Sequence, residues 1–365
     1  MKHWFYRILL LGFAQTAWCA SEARLTLRVT DDTGNVVTNA LVKLSTLDRW
    51  IPGEAAGRDI LRYEQKTTDT NGTATLTIAC KNGKIGYGVY VDKFSTGNYS
   101  YWMNGVRYYN GGGGTYYPTN KVKGKWQPWN PTLEVKAKRV INPIPMYAMR
   151  VSSGFKLLNS DDRPAFDLVK GDWVKPYGNG EVADFIFSVE YRGKTVTNLT
   201  DEAFNAIRKQ RGESMARQAQ RLATKSTYVM KFEMAFSNED DGIHCLRVPP
   251  RQGSMLRLPY FAPDSGYDPV LKQEIRRNDG DRNEKKSFSE DLNYFFRVRT
   301  RKNDRREIVS ALYGKIYGPV EFRIEDEFSV QFTYYLNPEP NDRNTEFDTK
   351  RNLLPSSRST WNLLP

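Results

Sequence analysis

The strongest constraint on this chain is a period of two. Leu25, Leu27 and Val29 alternate with Thr26 and Arg28, the turn Asp31-Asp-Thr-Gly34 follows, and Ala40, Val42 and Leu44 alternate again. Successive side chains of a strand face opposite ways, so this spacing gives each segment one face for a core and one for solvent. A second turn, Asp69-Thr-Asn-Gly72, leads into Thr73-Ala-Thr-Leu-Thr-Ile78. In both turns Gly accepts the positive φ and Asp or Asn caps the bend. Strand-like runs continue at Asp184–Tyr191, Tyr228–Phe236, Tyr294–Arg299, Glu307–Tyr317, Val320–Ile324 and Phe328–Leu336. The chain is therefore expected to be mainly β.

One segment breaks the pattern. Phe204, Ile207, Met215, Ala219 and Leu222 recur near helical spacing, with Thr200 placed to cap, which predicts one helix over Asp201–Lys225. Its other face carries Arg208, Lys209, Arg211, Arg217, Arg221 and Lys225. The apolar stripe is narrow for a membrane-surface helix, so a helix lying on a sheet is expected.

The size of the chain asks for two cores. Residues 21–140 form the first β domain. The run Ile141-Asn-Pro-Ile-Pro-Met146 denies ladder donors at two positions, and residues 141–150 are read as a linker. A larger antiparallel β-rich domain, sandwich or jelly-roll-like, spans 151–340, and 341–365 is a C-terminal tail. The first twenty residues have another layout: Lys2 and Arg7 precede the apolar run Ile8–Ala14, and no carboxylate occurs before Glu22. That is the pattern of a cleavable export signal, too short to cross a bilayer as an anchor. A secreted, periplasmic or cell-surface product with no integral membrane segment after signal removal is expected.

The strand with Gly34, the Asn39-Ala40-Leu-Val42 strand and Thr68-Asp69-x-Asn71-Gly72 with its following alternation resemble the carboxypeptidase regulatory-like domain. The resemblance implies a prealbumin-like β-sandwich, non-catalytic, in an extracellular setting. It covers about a third of the chain and brings no peptidase zinc ligands. The insertion Asp48–Lys66 and the aromatic, Gly-rich stretch after Gly86 depart from it. The phrases Phe166-Asp-Leu-Val-Lys-Gly-Asp-Trp-Val174, Phe236-Ser-Asn-Glu-Asp-Asp-Gly-Ile243 and Leu336-Asn-Pro-Glu-Pro-Asn-Asp-Arg343 resemble segments that accompany that domain in secreted bacterial proteins, with no catalytic residues attached.

Catalytic and cofactor chemistry finds few footholds. The chain has two histidines, and His3 lies in the leader, so His244 alone remains. Paired-histidine zinc sites are thereby excluded. Gly212-Glu-Ser214-Met-Ala216 approximates a nucleophile elbow but falls inside the expected helix, and Ser153-Gly-Phe-Lys156 lacks its companion motifs. Gly111–Gly114 precedes no Lys-Ser or Lys-Thr pair and no helix, so it reads as a flexible loop. Asp279, Asp281, Asn283 and Glu290 match positions one, three, five and twelve of a calcium loop, but Glu284 stands where the sharp turn needs Gly. No cofactor is expected. A non-catalytic protein is expected, with a carboxylate-dependent enzyme acting on glycans as the alternative, since such an enzyme needs only two acids placed by the fold.

Cys80 and Cys245 are too few for a disulfide framework. They either pair or stay as two thiols. The net charge of +12 is spread among interleaved acids, as in Arg301-Lys-Asn-Asp-Arg-Arg-Glu307. That spread favours solvated faces over a nucleic-acid footprint, and it suits a glycan or anionic surface polymer as partner. The candidate binding residues are the aromatic cluster Tyr99, Tyr101, Trp102, Tyr108, Tyr109, Tyr116, Tyr117, Trp126 and Trp129. Planar rings stack on the apolar faces of sugars; the same residues can also fill strand faces.

Overall fold

Both Asp-Gly turns are built by the aspartate itself. Asp31 Oδ1 accepts the backbone N–H of Thr33 and Asn35, each at 2.9 Å, and Asp69 Oδ1 accepts those of Asn71 and Thr73, also at 2.9 Å. These bonds fix the strand pairs that follow in a computed structural model describing residues 21–51, 58–89, 100–103, 105–109, 111–158, 161–197, 199–248, 254–278, 281, 283–324, 327–355 and 363–365. The expected leader, residues 1–20, lies outside the described residues. The chain parts into two compact units, one reaching Lys138 and the other starting at Arg139, with Arg107–Tyr109 belonging to the second.

The first half contributes β1 (Glu22–Asp31), β2 (Leu41–Ile51), β3 (Arg58–Thr67), β4 (Thr73–Ala79), β5 (Ile85–Val89), β6 (Ser100–Met103), β7 (Val106–Tyr109), β8 (Gly113–Tyr116), β9 (Asn120–Val122), β10 (Lys125–Gln127) and β11 (Thr132–Ala137). In the first unit β4 pairs antiparallel with one edge of β1, while β11 and β10 pair parallel to it and β9 closes a hairpin with β10. A second sheet runs β3-β2-β5-β8. Leu25, Leu27 and Val29 on β1 and Val42 and Leu44 on β2 are fully buried, as the alternation requires. The Gly111–Gly114 run ends in an edge strand, Gly88 opposite Gly113, and is no free loop.

The second unit continues with β12 (Ile144–Phe155), β13 (Ala165–Asp167), β14 (Asp172–Trp173), β15 (Phe185–Thr197), α1 (Asp201–Arg211), α2 (Glu213–Ala223), β16 (Thr224–Ala235), β17 (Gly242–Arg247), β18 (Val270–Arg277), β19 (Lys285–Lys286), β20 (Leu292–Lys302), β21 (Ile308–Ile324), β22 (Phe328–Leu336) and β23 (Phe347–Asn352). They form two six-stranded sheets, β17-β20-β21-β22-β12-β23 and β14-β13-β15-β16-β18-β19. Rings from one sheet meet rings from the other: Phe185 stands edge-on to Phe296 with centroids 5.1 Å apart, and Phe232 stacks on Phe322 at 4.7 Å. Each fully buried Phe stabilises by about 1.5–3 kcal/mol.

Four further expectations need correction. The stretch 141–150 is no linker: β12 starts at Ile144 and is an interior strand. Pro145 fits because the β22 ladder begins only at Tyr147 and the β23 register shifts between Ile144 and Met146, so no bond needs its missing N–H. Residues 341–365 are no loose tail, since β23 closes the sheet and Phe347 is buried. Finally, the single helix over Asp201–Lys225 is two. Thr200 caps α1, its Oγ1 accepting from Ala203 N at 3.2 Å, but Gly212 adopts φ +87°, which ends α1 one residue before α2 begins. Nor do these helices lie on a sheet; their main contacts are with each other and with the start of β16.

Candidate functional site

The hairpin β9–β10 turns at Lys123 and Gly124, both at positive φ (47° and 77°), the conformation of a tight two-residue hairpin turn. Its register puts Lys121 directly opposite Trp126. The Lys121 ammonium lies 4.5 Å from the centre of the Trp126 ring. Four residues apart in sequence, Lys125 repeats the arrangement over Trp129 at 4.8 Å. Trp126 is anchored from below: its Nε1–H donates to the Cys80 carbonyl at 2.8 Å, and Gly83, at φ +67°, lies so close that a Cβ there would sit 2.9 Å from the ring. Neighbouring Tyr117 is 64% exposed, and the Tyr116 hydroxyl reaches the Pro128 carbonyl at 3.4 Å. The two exposed lysines and the two half-buried indoles form a cationic, aromatic surface.

The aromatic candidates thus divide. Trp126 lies on this hairpin and Trp129 just past it, the Tyr116 hydroxyl at the end of β8 reaches Pro128 between them, and Tyr117 is exposed just after β8. Tyr99 lies outside the described residues, as do the side chains of Tyr101 and Trp102. Tyr108 and Tyr109 are 6% and 3% exposed and belong to the second unit, so they cannot present a ring to a sugar. Tyr109 donates its hydroxyl to Glu346 Oε1 at 2.7 Å, and burial together with that carboxylate raises its pKa far above the ordinary value. Sequence reasoning missed Lys121 and Lys125, although the Lys-x-Lys-Gly-Lys-Trp run around a hairpin Gly places lysine across from tryptophan.

In the second unit three buried aspartates gather around one arginine. Arg299 sits on β20 where the ladder to β21 shifts register after Val298, and it holds φ +57°. That kink aims its guanidinium at Asp184 (two contacts of 2.8 Å) and Asp167 (3.0 Å). Asp241 braces the kink by accepting the N–H groups of Arg299 and Thr300 at 3.0 and 2.9 Å. Asp167 also takes the amides of Val169, Lys170, Glu181 and Val182. Burial pushes the Asp184 carboxyl up, against the pull of Arg299. At Asp167 burial is outweighed by the amides of Glu181, Lys170 and Val182 and by Arg299, so its carboxyl titrates below the usual range. Every one of these oxygens is already engaged, which makes the cluster a clamp on the turn between β13 and β15.

The other candidates are dispersed. Asp279 lies outside the described residues. Asp281 accepts from Asn278 N at 3.0 Å and pairs with Lys285 at 3.4 Å, while Asn283 and Glu290 are exposed. Glu284, at the position that needs Gly, bonds Arg323 at 2.6 Å and the Tyr228 hydroxyl, and Lys285–Lys286 join β18 as a strand instead of curling around an ion. Among the described residues no group of three or more His, Cys, Asp or Glu is placed to hold a metal. His244 donates Nδ1–H to the Gly266 carbonyl at 2.8 Å. Ser214 is exposed on α2. Ser153 Oγ accepts the Trp173 indole N–H at 2.9 Å, and Lys156, an odd number of positions along the same stretch, is exposed. Cys80 is buried, Cys245 exposed, and both are free thiols.

The molecule is thus a mainly β protein of several antiparallel sheets, and among the described residues no helix is long and apolar enough to cross a membrane. No protein-family model matches the chain, and no curated protein does.

Proposed function

We propose that this is an exported, non-catalytic binding protein of the cell surface whose first unit, a sandwich of the carboxypeptidase regulatory-like kind, binds an acidic glycan through the β9–β10 hairpin. One observation carries the reading: two indoles on an exposed hairpin each have a lysine ammonium within 4.5–4.8 Å of the ring centre. Sugar faces stack on indoles, and a carboxylate or sulfate on the same sugar draws the ammonium from the ring it covers. A neutral glycan would have to displace Lys121 and Lys125 without compensation, so acidic polymers are preferred. The test is titration of the full chain with a polyuronate and with a neutral glucan of equal length. Polyuronate binding should weaken at least tenfold in Trp126→Ala and in Lys121→Ala/Lys125→Ala, with each variant still cooperatively folded at the assay temperature. Equal affinity for both polymers, or variants that bind as the parent does, would refute the assignment.

A further inference from the structure

Beyond that surface, we propose that the α1–α2 hairpin of the second unit is a docking element for an anionic phospholipid bilayer. It stands at the end of a ribbon: β18 stops pairing with β16 at Tyr228, whereas β15 and β16 stay paired out to Thr197 and Thr224. The helices that follow carry almost no core. None of the residues of α1 is buried, and of the described side chains of α2 only Ala216 is. Two helices of eleven residues each are marginal in water without a face to bury, so the arrangement leaves a binding face uncommitted.

That face has a definite chemistry. On the two helices the described bases Arg208, Lys209, Arg211 and Arg217 outnumber the acids Asp201, Glu202 and Glu213. The acids sit in the first turns of the helices, where they complement the helix ends, and Glu213 is taken up by Arg217 at 2.9 Å. Among the described residues Arg208, Lys209 and Arg211 form no ion pair with an acid. Apolar groups share the surface: Met215 is 42% exposed, and Phe204 and Ile207 are half-buried. Bases around part-exposed apolar side chains match a lipid interface, where phosphates meet the cations and the acyl boundary takes the apolar groups. A nucleic acid would use the charges but leave Met215, Phe204 and Ile207 in water, which is why the bilayer is favoured.

The experiment is vesicle co-sedimentation of the full chain. Vesicles of phosphatidylcholine with 30% phosphatidylglycerol are compared with phosphatidylcholine alone, at low and high salt. Binding should favour the anionic vesicles at least tenfold and weaken as salt rises. Arg208→Glu/Lys209→Glu/Arg211→Glu should abolish that preference, and Met215→Ser should weaken binding severalfold at constant charge. A chain in which residues 199–223 give way to an Asn-Gly turn keeps the ribbon and should lose vesicle binding with its thermal unfolding intact. Lys121→Ala/Lys125→Ala should leave it unchanged, which separates this result from the glycan surface. Equal binding to both vesicles, full binding without the hairpin, or tighter binding to a DNA duplex than to vesicles would overturn the proposal.

Discussion

Two aromatic populations serve opposite ends. In the second unit Phe185, Phe187, Phe232 and Phe332 are buried between sheets, ring against ring. In the first unit Trp126 on an edge hairpin and Trp129 just past it have lysines over their indoles, and Tyr117 is exposed ahead of the hairpin. The difference is chemical before it is positional. Phenylalanine has no polar atom and can be enclosed without a partner, whereas tryptophan keeps an N–H that must be satisfied when buried. Aromatic density alone therefore says little about function; the ring type and the charge across the hairpin say more.

The largest effects should come from the enclosed set. Phe332→Ala removes a ring that faces Phe166, Phe185 and Phe187 at 5.8–6.0 Å, and should cost about 3–5 kcal/mol in denaturant unfolding of the full chain. A loss below about 1 kcal/mol would mean the interlocking rings are not what holds the sheets together.

Arg299→Met comes next, at about 3 kcal/mol, because it strands Asp184 and Asp167 beside one another without their cation. Its pH dependence sharpens the test. Burial holds Asp184 above its unfolded pKa even beside Arg299 and should do so more strongly without it, so the folded variant holds the proton more tightly and acid favours its folding. In the parent, Asp167 is depressed, so its contribution is present above the unfolded carboxylate pKa and fades as pH falls through the lower, folded one. The deficit of the variant should accordingly shrink through Asp184 as pH falls from about 7 toward the unfolded carboxylate pKa, and shrink again below it as the Asp167 contribution of the parent fades. A constant deficit would mean that Arg299 acts by packing alone.

Which of these features could be read in advance follows from their range. Leu25, Leu27 and Val29 announce β1 because burial of one strand face is written at every second residue. Thr200 likewise announces the start of α1, its hydroxyl being three residues from the amide it caps. β23 left no such mark: Asn344, Thr345 and Glu346 just before it are polar yet buried, held by Asn142, Tyr260, Ile141 and other partners far away in sequence. The phrases around Asp167, Asp241 and Asn337 stood out as patterns, but their use did not. Asp167 and Asp241 meet only through Arg299, and Asn337 acts by bonding Asp342 and Asn344. For the candidate site, the rings were legible and their lysine partners were not, since pairing Lys121 with Trp126 depends on the hairpin register.

Gly83→Ala probes the boundary between the two populations, because it attacks a half-buried hairpin ring that is also anchored. The substitution meets both a positive φ of +67° and the Trp126 ring at 2.9 Å, for an expected loss of about 1–2 kcal/mol. In a double-mutant cycle with Trp126→Ala the steric part should vanish and the backbone part remain. Additive losses would show that Gly83 and Trp126 do not share a contact.

The smallest effect on stability is expected at Trp129, and it is the one that separates the populations most cleanly. Its ring is half-buried and its cation partner is the solvated Lys125, an arrangement worth about 0.5–1 kcal/mol at an exposed site. Trp129→Ala should therefore lower unfolding stability by no more than that, several times less than Phe332→Ala although the side chain removed is larger. Trp129→Phe should restore part of the ring contact without the N–H. If the glycan stacks on this ring, polyuronate affinity should fall tenfold or more in the Ala variant and recover partly in the Phe variant. Were Trp129→Ala to destabilise the chain as much as Phe332→Ala, the hairpin aromatics would be core after all, and the contrast between the two sets would collapse.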